Sequence, residues 1–312
     1  MNRFKTLLFS ILMPIILAAG NFVSEEASVI NHTDSITLAG TLTTPADSHP
    51  RAAIVMATGS GAQNRDEEIF SHKPFKVIAE YLAGNGYAVL RMDDRGTAHS
   101  EGDFTSATTD DFVTDIAAGL EILAERFPNM QKGVIGHSEG GTIAIKTASR
   151  NRLCSFIVTL AAPAWQGDSI IISQSRAMAV GLTGKWDMET QQREILDIVK
   201  SDLNDLQTRM SLSFLLPKIF GESANLPQAK AMIAKQTDTL TSRWYRDMVR
   251  YNPECDIKAV GCPWLALNGA KDTQVKPELN MPAIKQLLPR ADVRCYPGLN
   301  HLMQPCKTGQ FE

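Results

Sequence analysis

One serine constrains this chain more than any other residue. Ser138 stands in Gly136-His137-Ser138-Glu139-Gly140-Gly141, directly after the apolar run Gly133-Val134-Ile135 and directly before Thr142-Ile143-Ala144-Ile145-Lys146-Thr147-Ala148. That order reads as a strand, a tight turn and a helix, with small residues where a Cβ would clash. In such a nucleophile elbow the strained turn lifts Oγ clear of the sheet, and the first amides of the helix point at any oxyanion formed there. A bare G-x-S-x-G recurs by accident, because glycine and serine are common residues. What raises this one is the strand before it, the helix after it, and an acid and a histidine later in the chain, in the order Ser, Asp, His that the architecture requires.

The acid is Asp272. Ten aspartates lie between Ser138 and His301, but only this one follows a near-continuous apolar run of strand length, Pro263-Trp264-Leu265-Ala266-Leu267-Asn268-Gly269. Loops at the carboxyl ends of parallel strands are where catalytic groups gather in open α/β sheets. The base is His301, the last of six histidines and the only one after Asp272, in a loop following the short strand pattern Ala291 to Tyr296. An imidazole there can take the Oγ proton on Nε2 while a carboxylate holds Nδ1–H. His137 adjoins the nucleophile, so its side chain should point away from Oγ. His99 precedes Ser138 and would need a different order, which leaves it at most a site-lining group. Two backbone amides complete the expected machinery. One is Glu139, after the nucleophile, and the other is Ser60, in the Gly59-Ser60-Gly61 turn that follows the strand pattern near Ala53. The Glu139 carboxylate is expected to face solvent at the helix start, where the helix dipole favours it.

These segments together resemble the α/β-hydrolase superfamily, and within it the secreted bacterial EstD-like esterases and the serine aminopeptidase-like (S33-type) hydrolases. The likeness rests on Gly59-Ser60-Gly61-Ala62-Gln63-Asn64-Arg65-Asp66-Glu67, on Asp93-Asp94-Arg95-Gly96-Thr97 and on the Ser138 motif; Asp272 and His301 fall where such enzymes keep their acid and base. Thr58, Ala62 and Ala98 depart from the His, Pro and Gly usual there, and none of these changes removes a triad group. The resemblance implies a short-chain carboxylic ester as substrate. A peptidase of aminopeptidase type is the alternative, for which a cluster of acids near the site would speak, and an inactive binding protein on the same fold is the reading from another class. The resemblance also implies a closing helix after His301, yet the sequence ends at Gln310-Phe311-Glu312, which reads as truncated.

The rest of the chain bounds this picture. Residues 1–20 combine a basic start, Arg3 and Lys5, with an apolar stretch from Leu7 to Ala19 and a small-residue end. This is the pattern of a secretory signal peptide, and Pro14 interrupts it as a membrane span. A periplasmic or secreted protein without a stable membrane anchor is expected. Five cysteines in an oxidising compartment leave at least one thiol free, and a Cys295–Cys306 bridge flanking His301 is an option that spacing alone does not establish. A net charge of −3 gives no basic footprint for nucleic acid, and no His or Cys pairs stand at zinc spacing, so a small-molecule ester is the expected partner and no cofactor or metal is expected. The oligomeric state is left open. Strand and helix patterns alternate from 21 to 163 and resume over 253–312, implying a mostly parallel sheet covered on both faces. Residues 164–252 show helices without strands and read as an inserted lid. Within it, Trp165, Phe214, Trp244 and Met248 read as lid core, and Arg65 and Arg95 are expected to order their loops through Asp66 and Asp94.

Overall fold

Alternation decides the first two strands. In β1 (Phe22–Asn31) and β2 (Ile36–Pro45), Val29, Leu38 and Leu42 are buried, and the two strands pair antiparallel as a hairpin that begins at Phe22. The computed structural model describes residues 21–309. The signal-peptide pattern of 1–20 and the final residues 310–312 lie outside that range.

From β3 (Ala52–Ala57) onward the strands are short and pair parallel with one another. They are β4 (Ala88–Met92), β5 (Gln131–His137), β6 (Cys154–Leu160), β7 (Trp264–Gly269) and β8 (Asp292–Tyr296), in the eight-stranded order β1-β2-β4-β3-β5-β6-β7-β8. The strands of the parallel part are flanked on both faces. Ile54 and Met56 of β3 pack with Phe75 and Ala79 of α1 (Pro74–Gly84), while Val55 between them packs toward Leu120 and Leu123 of α2 (Thr109–Arg126) and Ile143 and Ile145 of α3 (Glu139–Arg150). A two-residue period thus feeds two cores. On the α1 side, Phe156, Val158 and Leu160 of β6 are only half-buried. Helix α2 starts at Thr109, where the Asp111 carboxylate accepts the Thr108 N–H at 2.7 Å in a capping box.

Between β6 and β7 the chain forms only helices: α4 (Gly167–Thr183), α5 (Glu189–Lys200), α6 (Asp205–Phe220), α7 (Pro227–Thr241) and α8 (Arg243–Arg250), with a 3₁₀ turn over Gly221–Asn225. They share a core of Ile171, Leu196, Val199, Leu212, Leu216, Leu240 and Val249. Their starts are set locally. Asn204 and Gln207 exchange side-chain and backbone bonds at α6, Pro227 opens α7, and the Ser242 hydroxyl accepts the Tyr245 N–H at α8. Two more helices, α9 (Glu254–Ala259) and α10 (Pro277–Leu287), flank β7. Asn280 of α10 accepts the Ala164 N–H at 2.7 Å and so ties the helical segment back to the sheet domain. Among the described residues no helix is long and apolar enough to cross a membrane, and no group of three His, Cys, Asp or Glu is placed to hold a metal ion.

Candidate active site

The loops at the carboxyl ends of β3, β5, β7 and β8 converge on one point. Ser138 has φ 52° and ψ −117°, a conformation rare outside glycine, and its N–H donates to the Leu160 carbonyl at 2.9 Å. The turn closes only because its neighbours have no side chain. A Cβ on Gly136 would stand 1.9 Å from the Gly140 carbonyl oxygen, and one on Gly140 would stand 2.0 Å from that of Ala57. Helix α3 therefore starts against the end of β3, with the Glu139 amide as its first, having no carbonyl four residues back inside the helix.

Asp272 and His301 meet as the sequence order suggests. His301 Nδ1 is 2.8 Å from Asp272 Oδ2, and the other carboxylate oxygen accepts the N–H groups of Gln274 and Val275 at 2.8 and 2.9 Å. A carboxylate only accepts, so Nδ1 carries the proton and Nε2 is left as the basic nitrogen. Both side chains are buried. Burial holds the His301 imidazole below the ordinary histidine value, against the opposing hydrogen bond to Asp272. The His301 loop is stapled by main-chain bonds, Cys306 N–H to Gly298 O at 2.9 Å and Lys271 N–H to Leu299 O at 2.9 Å, and by Asn300 Oδ1, which accepts from Leu302 and Gln304 N–H. Cys295 and Cys306 form no bridge; all five cysteines are free thiols.

The loop after β3 is organised by Asp94. Its Oδ1 accepts the Thr58 hydroxyl at 2.6 Å and its Oδ2 the Gln63 N–H at 2.9 Å, so both ends of the loop carrying Ser60 hang on one carboxyl. Burial pushes that carboxyl up to about 8, against those two hydrogen bonds. Asp94 is therefore not the partner of Arg95, which pairs with Asp115 and Asp34. Nor is Asp66 the partner of Arg65, which pairs with Asp93 and Glu26; Asp66 pairs with Arg91 and Lys73. Each arginine has a carboxylate closer to its guanidinium than the sequence neighbour.

The Glu139 side chain also corrects expectation. It is buried rather than solvated, and Oε1 accepts the Thr109 hydroxyl at 2.9 Å and the Trp244 indole N–H at 2.8 Å, joining α3 to α2 and to α8 of the helical segment. Burial raises its carboxyl above the usual range, against the Trp244 and Thr109 bonds.

Ser138 opens onto two cavities. One of about 70 Å³ is lined by Pro163, Trp165, Ile170, Ile171 and Tyr251 beside Glu139; the other, about 510 Å³, includes His301, Gln274, Leu302, Trp244 and Tyr245. Ser60, Ile171, Gln174 and Met248 line both. Trp165 and Trp244 thus line the site and stand outside the core of the helical segment, Met248 lines the site while packing against that core, and Phe214 is 69% exposed. The largest cavity, about 810 Å³, lies elsewhere, between β1, β2 and α1; His99 lines that one, away from Ser138.

Sequence reasoning missed one pair altogether. His137 is met by Glu67, with Nδ1 to Oε1 at 2.8 Å. The available signal was the acid closing Asn64-Arg65-Asp66-Glu67, directly after the glycine turn.

With this geometry in view, likeness to known proteins adds to it. The family model described as serine aminopeptidase, S33, matches residues 49–304. Esterase EstD of Thermotoga maritima is 26% identical over 269 residues, 85% of this chain; the chain spans 58% of the length of that relative. Among solved structures, the Pyrococcus furiosus esterase Pf2001 is 20% identical with a TM-score of 0.58, covering 88% of this chain and 83% of its own. The hypothetical protein PA2218 of Pseudomonas aeruginosa is 16% identical with a TM-score of 0.61, covering 96% and 93%. At those identities the solved structures speak to the fold alone.

Proposed function

Because this chain belongs to the serine aminopeptidase, S33, family of α/β hydrolases, we propose that it is a serine hydrolase of short-chain carboxylic esters. Ser138 is the nucleophile, His301 the general base and acid, Asp272 the group that fixes the imidazole, and the amides of Ser60 and Glu139 the oxyanion donors. The observation that carries the reading is a convergence. A serine held at positive φ opens onto the same cavity as a histidine whose Nδ1 is occupied by a buried carboxylate.

The chemistry follows in two steps. Ser138 Oγ attacks the ester carbonyl while His301 Nε2 takes its proton, and the developing oxyanion is met by two amides that need no reorientation. His301 then gives the proton to the leaving alcohol, and water, deprotonated by the same nitrogen, releases the acid and regenerates the serine. Asp272 keeps the imidazole in the tautomer that both steps require. The small apolar cavity suits a short acyl group and the large one a bulkier, more polar alcohol. The helices α4–α8 act as the lid that walls both. The leader-like residues 1–20 support action in the periplasm or outside the cell, on a small-molecule ester.

The peptidase reading has one observation in its favour, the buried Glu139 carboxyl beside Ser138 with half-buried Asp247 of α8 acting on it. Glu139 Oε1 already accepts the Trp244 and Thr109 donors, which leaves less of the carboxyl for a substrate ammonium and favours the ester. The deciding experiment compares p-nitrophenyl acetate, butyrate and octanoate with an aminoacyl p-nitroanilide, using wild type and Ser138→Ala. Ester turnover that falls from acetate to octanoate and vanishes in the variant is expected. Anilide turnover alone would shift the assignment to a peptidase, and absence of Ser138-dependent turnover in folded protein would overturn both.

A further inference from the structure

The second buried histidine at this site takes no part in the chemistry above, yet its surroundings are as specific as those of His301. His137 is the last residue of β5; Nδ1 lies 2.8 Å from Glu67 Oε1, and Nε2 lies 3.0 Å from the main-chain oxygen of His301. A carbonyl cannot donate, so Nε2 must carry a proton. On the other side, one proton is shared between Nδ1 and Oε1. An imidazole is more basic than a carboxylate by about 2 pH units in water, and the same Oε1 also accepts the Gly59 N–H at 2.7 Å. That proton therefore rests on the ring, and His137 holds one on each nitrogen. Burial works against this charge, and the Glu67 carboxylate outweighs it, holding the imidazole above the ordinary histidine value. Glu67 reaches the ring from a backbone at φ 50°, with its own N–H bonded to Asn64 O at 2.9 Å. A left-handed glutamate is uncommon, and such backbone is kept where a side chain has to be aimed.

We propose that Glu67 and His137 form a buried carboxylate–imidazolium pair that positions the machinery from behind Ser138. Through Nε2–H it holds the main chain of His301, through Oε1 it holds the Gly59 amide next to Ser60, and it places a fixed positive charge beside the His301 ring. The inference rests on the reading of His301 as the base; Glu67 and His137 are positioning residues. The two imidazoles have centroids 4.8 Å apart. The charged groups facing His137 are Glu67, Asp272 and His301, and those facing His301 are Asp272, His137 and Glu67. At His301 the repulsion from His137 outweighs the attraction of Glu67. The pair thus keeps His301 unprotonated, and able to accept the serine proton, to lower pH. Discharging the pair should raise the pKa of His301.

Two readouts on the full chain test this. Nitrogen NMR of histidine-labelled protein should show one imidazole with both nitrogens protonated between about pH 6 and pH 8. It is assigned by its absence in His137→Gln, and it should become a neutral ring in Glu67→Gln. In kinetics, Glu67→Gln should lower kcat by roughly 10- to 100-fold with KM little changed, and move the acid limb of kcat/KM upward by roughly half a pH unit. A merely structural role would lower activity without moving that limb. A neutral His137 ring in the wild type overturns the proposal, as does an unmoved limb in folded Glu67→Gln; should that variant not fold, the wild-type spectrum decides. The NMR readout does not depend on turnover, so the failure of the esterase reading and the failure of the pair are told apart.

Discussion

The strand ends and the helical segment over them are built on different principles. At the strand ends the geometry is set by backbone against backbone. Gly136 and Gly140 approach carbonyl oxygens more closely than any Cβ allows, Ser138 is held at positive φ, and the loops are closed by main-chain bonds or by single buried carboxyls. In α4–α8 the geometry is set by side chains, through a modest shared core and ordinary helix caps, with Met178, Leu206, Met210, Phe214 and Met232 left exposed. Backbone constraints admit few residue types and transmit small changes in full, whereas side-chain packing tolerates substitution. Chemistry should therefore fail sharply when the strand ends are altered, and selectivity should drift when the helical segment is.

The sharpest tests fall on the strand ends. Ser138→Ala should lower kcat by about 10⁶-fold, with thermal unfolding unchanged, because the residue loses the nucleophile and nothing that packs. Asp272→Asn should cost about 10⁴-fold. The amide keeps an oxygen for the Gln274 and Val275 N–H groups, but it presents a donor to His301 Nδ1 and so turns the ring to the wrong tautomer. Single-turnover measurements on a p-nitrophenyl ester check both. A loss of only tenfold in either would mean that this region does not concentrate the chemistry. Gly140→Ala tests the backbone argument itself. With the new Cβ 2.0 Å from the Ala57 oxygen, it should destabilise the fold by about 3 kcal/mol or more, read as a lowered midpoint in urea.

This division also explains what the sequence made legible. Ser138 and Asp272 could be picked out because each follows an apolar strand pattern, with glycine spacing recording close approach directly, and His301 because it is the only histidine after Asp272. The strands β3 to β7 were legible for the same reason, each holding a short apolar run between turn residues, whereas β8 carries Asp292 and Arg294 and reads only as a short strand pattern. Partners in three dimensions were not. Arg65 and Arg95 choose carboxylates far along the chain, and Glu67 meets His137 across seventy positions. Glu139 was misread because helix-dipole reasoning places an acid at a helix start without knowing that α2 and α8 will cover it. In the helical segment, apolar patterning announced helices but not which face would line the site, so Trp165, Trp244 and Met248 were indistinguishable from core.

A milder test lies on the boundary between the regions. Ile170, buried on α4, lines the small cavity beside Ser138 and stands outside the shared core of the helical segment. Ile170→Ala should enlarge that cavity and raise the butyrate-to-acetate ratio of kcat/KM by about tenfold, the worth of a methylene or two in an apolar pocket. An unchanged ratio would show that the acyl group does not enter there.

A last test qualifies the contrast, since it concerns a strand-end loop whose shape depends on a titrating side chain. Asp94 holds both ends of the loop carrying Ser60, and burial raises its carboxyl from 3.8 to about 8. Over that interval the folded protein keeps a proton that the unfolded chain has released. The unfolded state binds fewer protons, so stability falls as pH rises from the unfolded value toward 8 and levels off above it. Asp94→Asn keeps the shape and an acceptor oxygen but cannot ionise. Its unfolding free energy should be flatter than that of wild type across this range, with the gap moving in favour of the variant as the pH approaches 8. Urea midpoints of the two proteins at several pH values measure the gap. Parallel curves would mean that Asp94 titrates as an ordinary carboxylate, and that the hydrogen bonds from Thr58 and Gln63 outweigh its burial.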